Sequence, residues 1–201
     1  MGTIYMKRAV ITGPTGSIGI ALINELEANG IEVVAVVRPG SKRADRIKES
    51  SLVKCVKCDL SNLDKLPELI PDGADVFYHF GWDGTFGDSR NNMKGQNLNV
   101  KYALDAVEAA SKLGCKTFVG AGSQAEYGRF EGKLNGSTPT FPENGYGIAK
   151  LCVGQMTRIM CQQKGIKHIW TRILSIYGPY DGEKTMVMST IDRLLKGEVP
   201  S

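Results

Sequence analysis

Tyr146 and Lys150 are the residues whose types and spacing point most directly to chemistry. Four apart on a helix, two side chains lie one above the other on the same face. An ammonium beside a phenol favours the phenolate, so Lys150 is expected to lower the Tyr146 pKa. A phenol tuned in that way can pass a proton to or from a substrate oxygen. Taken alone, Tyr-x-x-x-Lys also describes a buried tyrosine beside a solvated lysine. Two upstream features give the pair weight: Ser123, which follows a strand-like stretch, and a glycine-rich turn near the N-terminus.

That turn reads Gly13-Pro14-Thr15-Gly16-Ser17-Ile18-Gly19, between a β-like and a helical pattern. Gly13 suits a tight turn, Gly16 lets the backbone approach a pyrophosphate, and Gly19 lets helix and strand pack closely. Thr15, Ser17 and Ile18 complete a helix N-terminus whose free N–H groups and positive dipole end suit phosphate. About twenty residues on, an acid would bind a ribose hydroxyl, whereas an arginine accommodates a 2′-phosphate. The chain has Val37-Arg38-Pro39-Gly40-Ser41-Lys42-Arg43 there, with no acid at the strand end. The expected cofactor is therefore NADP, with NAD as the alternative. The plain reading of the same residues is a solvated basic loop.

The elements that must hold these residues follow from pattern. Short apolar runs alternate with longer amphipathic segments, the mark of βαβ units and a parallel sheet. Strands are expected at Arg8–Thr12, Glu32–Val37, Val53–Cys58, Ala74–Phe80, Lys116–Ala121 and Lys167–Ile176. Helices are expected over 16–29, 41–50, 61–70, 89–113, 145–164 and 184–195, with Gly30 and Gly114 closing two of them. The fold class is α/β, a Rossmann-type doubly wound parallel sheet with its ligand at the carboxyl ends of the strands.

The composition is that of a globular protein of 201 residues with a net charge of +4. Neither a nucleic-acid nor a membrane partner is read from so mild a charge, and no run is apolar and long enough to span a bilayer. The N-terminus shows no signal-peptide pattern, so a cytoplasmic location is expected. An odd count of five cysteines fits free thiols. Cys55 and Cys58 form a C-x-x-C, but on a strand they point to opposite faces, and no second pair stands at zinc spacing, so no metal is expected. His79 and His168 read as structural, with the cofactor cleft as the alternative for His79. Trp82 and Asp83 fall on a loop at the nicotinamide end. Asn97 and Asn99 share the long helix, where the plain reading is an exposed or helix-packing amide.

The glycine turn, Cys58-Asp59-Leu60, Ser123, Tyr146-x-x-x-Lys150 and Arg172…Tyr177-Gly178-Pro179 occur in order along nearly the whole chain. Together they resemble the extended short-chain dehydrogenase/reductases, the NAD(P)-dependent sugar epimerase/dehydratase superfamily. The resemblance implies that Asp59, with Leu60, lies by the adenine and that Ser123 hydrogen-bonds the reacting oxygen. It implies Tyr146 as the acid/base and Lys150 as its ribose-binding helper. It further implies a small-molecule substrate, a nucleotide sugar, and a homodimer built on the helices over 89–113 and 145–164. Two departures narrow it. Gln124 and Ala125 stand where related dehydratases carry an Asp-Glu pair, and Ser175 stands where many epimerases have an asparagine.

The expected activity is thus hydride transfer at a carbinol carbon by an epimerase or a reductase, a choice left open. The alternative is a catalytically silent NAD(P)-binding regulator. Residues 1–178 are expected to form the dinucleotide domain and 179–201 the start of a substrate lobe. Because the resembled family continues well beyond that point, the chain is also expected to bind dinucleotide but turn over slowly or not at all.

Overall fold

The computed structural model describes residues 6–182 and 185–199. The N-terminal pentapeptide Met1–Tyr5, Lys184 at the expected start of the last helix, and Pro200 and Ser201 lie outside the described residues. Six parallel strands form one sheet: β1 (Arg8–Thr12), β2 (Glu32–Val37), β3 (Val53–Lys57), β4 (Val76–His79), β5 (Thr117–Ser123) and β6 (Lys167–Ile173). Their order is β3-β2-β1-β4-β5-β6. The direction of winding reverses between β1 and β4, which opens a crevice at their carboxyl ends.

The sheet is buried on both faces, so its inner strands read as continuous apolar runs. Ala9, Val10 and Ile11 of β1 are fully buried. On one face Ala9, Ile11, Val33 and Ala35 meet Ile20, Ile23 and Leu26 of α1 (Ser17–Ala28). On the other, Val10, Phe77 and Phe118 pack on Ala106, Val107 and Ala110 of α3 (Met93–Lys112). Cys161 of α4 (Gly145–Gln163) joins that second core. The alanine stripe keeps α3 close to the sheet. A short α2 (Leu66–Leu69) and α5 (Met186–Leu195) complete the described helices.

Several expected boundaries move. The helix expected over 41–50 shrinks to a 3-10 turn, Ala44–Arg46. Ser41 Oγ accepts from Arg43 N–H at 3.3 Å, a local turn that competes with helix extension. The helix expected over 61–70 is a 3-10 stretch, Leu60–Lys65, with non-helical backbone at Asn62, followed by α2, where Pro67 occupies the first turn. The long helix begins at Met93, not Ser89, because Asn92 caps it by accepting from Gly95 N–H at 3.1 Å. Strand β5 runs on to Ser123, and β6 stops at Ile173. Cys55 packs on the α1 side and Cys58 on the α3 side, as their spacing predicts for a strand.

Candidate active site

The glycine turn lies where β1 ends and α1 begins. Gly13 has φ of 68°, a left-handed conformation, and a Cβ there would sit 2.7 Å from the backbone of Phe80 and Gly81. A Cβ on Gly19 would meet Gly13 O at 2.6 Å, so helix and turn are in direct contact. Gly16 differs: the nearest atom to a Cβ is 3.9 Å away, which leaves room above the turn. Gly16 also caps α1 without a side-chain hydrogen bond; its own N–H turns back to Gly13 O at 3.5 Å, so Ser17 and Ile18 present the free N–H groups of the helix N-terminus.

Gly13, Thr15, Arg38, Ser41, Arg43, Asp59, Leu60, Gly81 and Trp82 line a groove beside this turn. Arg38 and Arg43 are exposed there. Asp59 Oδ1 accepts from Ser61 N–H at 3.0 Å and from Ser61 Oγ at 2.7 Å. These bonds, with a smaller pull from Arg38, hold the Asp59 carboxyl below its ordinary value. The donors present suit a dinucleotide: backbone N–H for pyrophosphate, guanidinium groups for a 2′-phosphate, and an apolar wall from Leu60 and Trp82 for rings.

Ser123, Tyr146 and Lys150 converge at the end of β5, although more than twenty residues separate Ser123 from the other two. Asn144 caps α4 by accepting from Gly147 N–H at 2.8 Å. A side chain at 147 would run into Ala125 O, so the glycine allows α4 to approach the turn that follows Ser123. Tyr146 is half-buried between Trp82, edge-on at 5.9 Å, and the Arg90 guanidinium, 4.6 Å above its ring.

The expected electrostatics are only partly realised. Burial pushes the Tyr146 phenol above its ordinary value, against the Ser123 hydrogen bond and Arg90, which lower it. Arg90 is the cation that lowers the phenol's pKa, while Lys150 Nζ lies farther off, 5.7 Å from the ring centre. Lys150 Nζ instead donates to Ala121 O at 2.6 Å and rests 3.7 Å over the Trp82 ring. Burial brings its pKa down to about 7, while the Glu126 carboxylate pulls it upward. The lysine is therefore poised between charge states near neutrality.

The supporting residues sort clearly. Asn99 is buried; its Oδ1 accepts from Asp83 N–H at 3.0 Å and its Nδ2 donates to Asp83 O at 2.8 Å. It clamps the loop that carries Trp82, while Asn97 is exposed. His79 is buried with Nδ1 3.0 Å from Thr12 Oγ1, and burial, with Lys150 nearby, takes its pKa to about 3. His168 lies 3.0 Å from Thr157 Oγ1 and is stacked between Phe118 and Trp170. Gln124 Nε2 donates to Ser175 Oγ at 3.4 Å, joining the two family departures at the mouth of the site.

Sequence reasoning passed over Glu126 and Arg90. Glu126 is fully buried and accepts from Ser123 N–H, Trp170 Nε1 and Arg172 Nε. An acid three residues after a cap-forming serine is a capping-box signal that was legible at 123–126. Arg90 has no such signal, because it reaches Tyr146 from a turn over fifty residues away. Among the described residues no cluster of metal-ligating groups occurs, and no helix is long and apolar enough to cross a membrane.

Residues 9–200 match the family model of the NAD dependent epimerase/dehydratase family. The chain is 30% identical over 142 residues to dTDP-6-deoxy-L-talose 4-dehydrogenase (NAD(+)) of Aggregatibacter actinomycetemcomitans, covering 70% of this chain and 50% of that protein. It is 27% identical to an uncharacterized UDP-glucose epimerase, YtcB, of Bacillus subtilis (strain 168), covering 86% of this chain and 57% of that one. The chain thus spans about half the length of these curated relatives. Among solved structures, UDP-glucuronic acid 4-epimerase from Bacillus cereus in complex with NAD superimposes with a TM-score of 0.81 at 20% identity, covering 96% of this chain and 64% of that one.

Proposed function

Because the chain belongs to the NAD-dependent epimerase/dehydratase family, we propose that it is the dinucleotide-binding and proton-transferring part of an oxidoreductase or epimerase acting on a nucleotide-linked sugar. The observation that carries this reading is the convergence of Ser123, Tyr146 and Lys150 beside the groove of Gly13, Arg38 and Asp59. Bound nicotinamide dinucleotide supplies or accepts the hydride at a carbinol carbon. Tyr146 moves the hydroxyl proton, Ser123 holds the same oxygen, and Arg90 stabilises the phenolate. Lys150 leaves Ala121 O and Trp82 to hold a ribose hydroxyl. The N-terminus of α1 holds the pyrophosphate, and Arg38, Ser41 and Arg43 favour NADP over NAD. Residues 1–178 make up this unit, and 179–201 open the substrate lobe.

Two further features belong to the same proposal. Met93 and Leu98 on α3, with Ile148, Met156 and Ile159 on α4, leave an exposed apolar stripe on adjoining helices, which supports a homodimer. The five free cysteines support a cytoplasmic location.

The test is Tyr146→Phe, assayed by reduced-nicotinamide absorbance with uridine- and thymidine-diphosphate hexoses and by hexose analysis of the products. Activity is expected to fall by about a hundredfold or more, since a general acid–base group contributes on that scale, with dinucleotide affinity kept. Product without net absorbance change marks an epimerase, and net change a reductase. Undiminished activity in the variant overturns the reading. Dinucleotide binding with no turnover of any such sugar, by a version extended with a substrate lobe, favours the silent regulator.

A further inference from the structure

Glu126 is a carboxylate with no exposed surface, set three residues after Ser123. Its Oε1 accepts from Ser123 N–H at 2.8 Å and from Trp170 Nε1 at 3.1 Å. Its Oε2 accepts from Arg172 Nε at 2.9 Å. Arg172 in turn donates from Nη1 to Tyr127 OH at 3.3 Å and lies over that ring. The anion is thus held by a strand-end amide of β5 and by an indole and a guanidinium of β6.

The surrounding chain is cut to fit this carboxylate. A Cβ on Gly122 would lie 2.5 Å from both Glu126 Oε1 and Trp170 Nε1, and one on Gly154 would lie 2.7 Å from Trp170 Nε1. A buried ion pair of this kind is weak evidence for stability, because desolvation offsets the Coulomb attraction. Its geometry points elsewhere, to the serine. Ser123 Oγ accepts from Ala125 N–H at 3.2 Å while its own N–H is held by Glu126, so both ends of the residue are fixed at the end of β5. Ser123 also acts on Tyr146, lowering its pKa against the pull of burial.

We propose that Glu126, braced by Arg172 and Trp170, is the positioning residue of the site: it holds the Ser123 amide so that the serine hydroxyl meets the Tyr146 phenol. The inference rests on the assignment of Ser123 and Tyr146 to proton transfer. It adds that the half-buried β6 residues Trp170 and Arg172 set the geometry of that pair without touching it. The neutral brace of the sheet edge is thereby coupled to the reacting oxygen through one peptide group.

The readout is the titration of the Tyr146 phenol, followed by NMR on isotope-labelled tyrosine with NAD present and assigned with Tyr146→Phe. The charged groups around that phenol are Arg90 above its ring, Lys150 one turn along α4, and Glu126 at the end of β5. Ser123→Ala removes the contact and sets the full effect, an upward shift of about one pH unit for a lost bond to a charged group. Glu126→Asp keeps the charge and its pairing with Arg172 but withdraws the carboxylate by one methylene from Ser123. Its titration is expected to rise toward that of Ser123→Ala. The double variant Glu126→Gln with Arg172→Met keeps a carbonyl acceptor for the Ser123 amide and the same net charge. It is expected to titrate like the unaltered protein. An unshifted Glu126→Asp, or a double variant that shifts as far as Ser123→Ala, overturns the proposal. If Ser123→Ala itself leaves the titration unmoved, the serine–tyrosine pairing fails instead, and the proposal with it.

Discussion

Lys150 gives a quantitative test of the site as folded. Its pKa is about 7 in the folded protein against an ordinary 10.5, and burial is the main cause. Between those values the unfolded chain holds a proton that the folded chain lacks, so stability rises with pH across that window. Below it the lysine is charged in both states and the fold bears the cost of an enclosed ammonium. At ~1.4 kcal/mol per pH unit the full window is a ceiling of about 5 kcal/mol. From about pH 7 to about pH 9 the expected gain is ~2–3 kcal/mol. Of the other groups shifted by burial, the raised thiols of Cys55, Cys58, Cys115 and Cys161 oppose this gain at the upper end of the range. His79, held to about 3 from 6.5, costs stability only in more acidic solution. Cys115 and Cys161, raised from 9.0 to about 12 and about 11, reduce stability in more alkaline solution. Urea denaturation followed by tryptophan fluorescence at several pH values in that interval is the assay. Lys150→Met keeps the chain length without the charge and is expected to flatten the curve. Parallel stability curves for the two proteins would refute the enclosed, readily deprotonated lysine.

The remaining predictions concern cofactor, reaction and assembly. Arg38→Ala is expected to weaken NADP binding by about tenfold while leaving NAD nearly unchanged, as one lost charge-assisted contact implies; calorimetric titration of both nucleotides checks it. No 4-keto-6-deoxy product is expected from any nucleotide hexose, because Gln124 and Ala125 hold no acid and the neighbouring Glu126 is committed to Arg172; product analysis by mass spectrometry decides. Light scattering is expected to give a dimer mass for the unaltered protein and a monomer mass for Ile159→Asp, which puts a charge in the exposed stripe of α4.

Sequence alone determined the layered α/β architecture, because hydrophobic periodicity is a local property. Strand β2, Glu32–Val37, was legible to the residue, since a run of valines bounded by Gly30 and Pro39 admits little else. The glycine turn was legible for the same reason: Gly13 needs a left-handed backbone and Gly19 needs an absent side chain, and both needs are visible as glycine. Boundaries set by capping were not. Asn92 rather than Ser89 starts α3 because its side chain reaches Gly95 N–H, which composition does not reveal. The electrostatics of the site were decided only by tertiary structure. Spacing four apart placed Lys150 beside Tyr146 on one helix, but the ammonium turns to a carbonyl of β5 and a tryptophan on the loop after β4. Arg90, from the turn before α3, takes its place over the phenol. A pKa is the sum of burial and charges in space, and those come from elements that the chain brings together only by folding. Glu126 is divided between sequence and fold: its capping-box spacing from Ser123 was legible, but it becomes the buried junction of β5, β6 and Ser123 only once the sheet has closed around it.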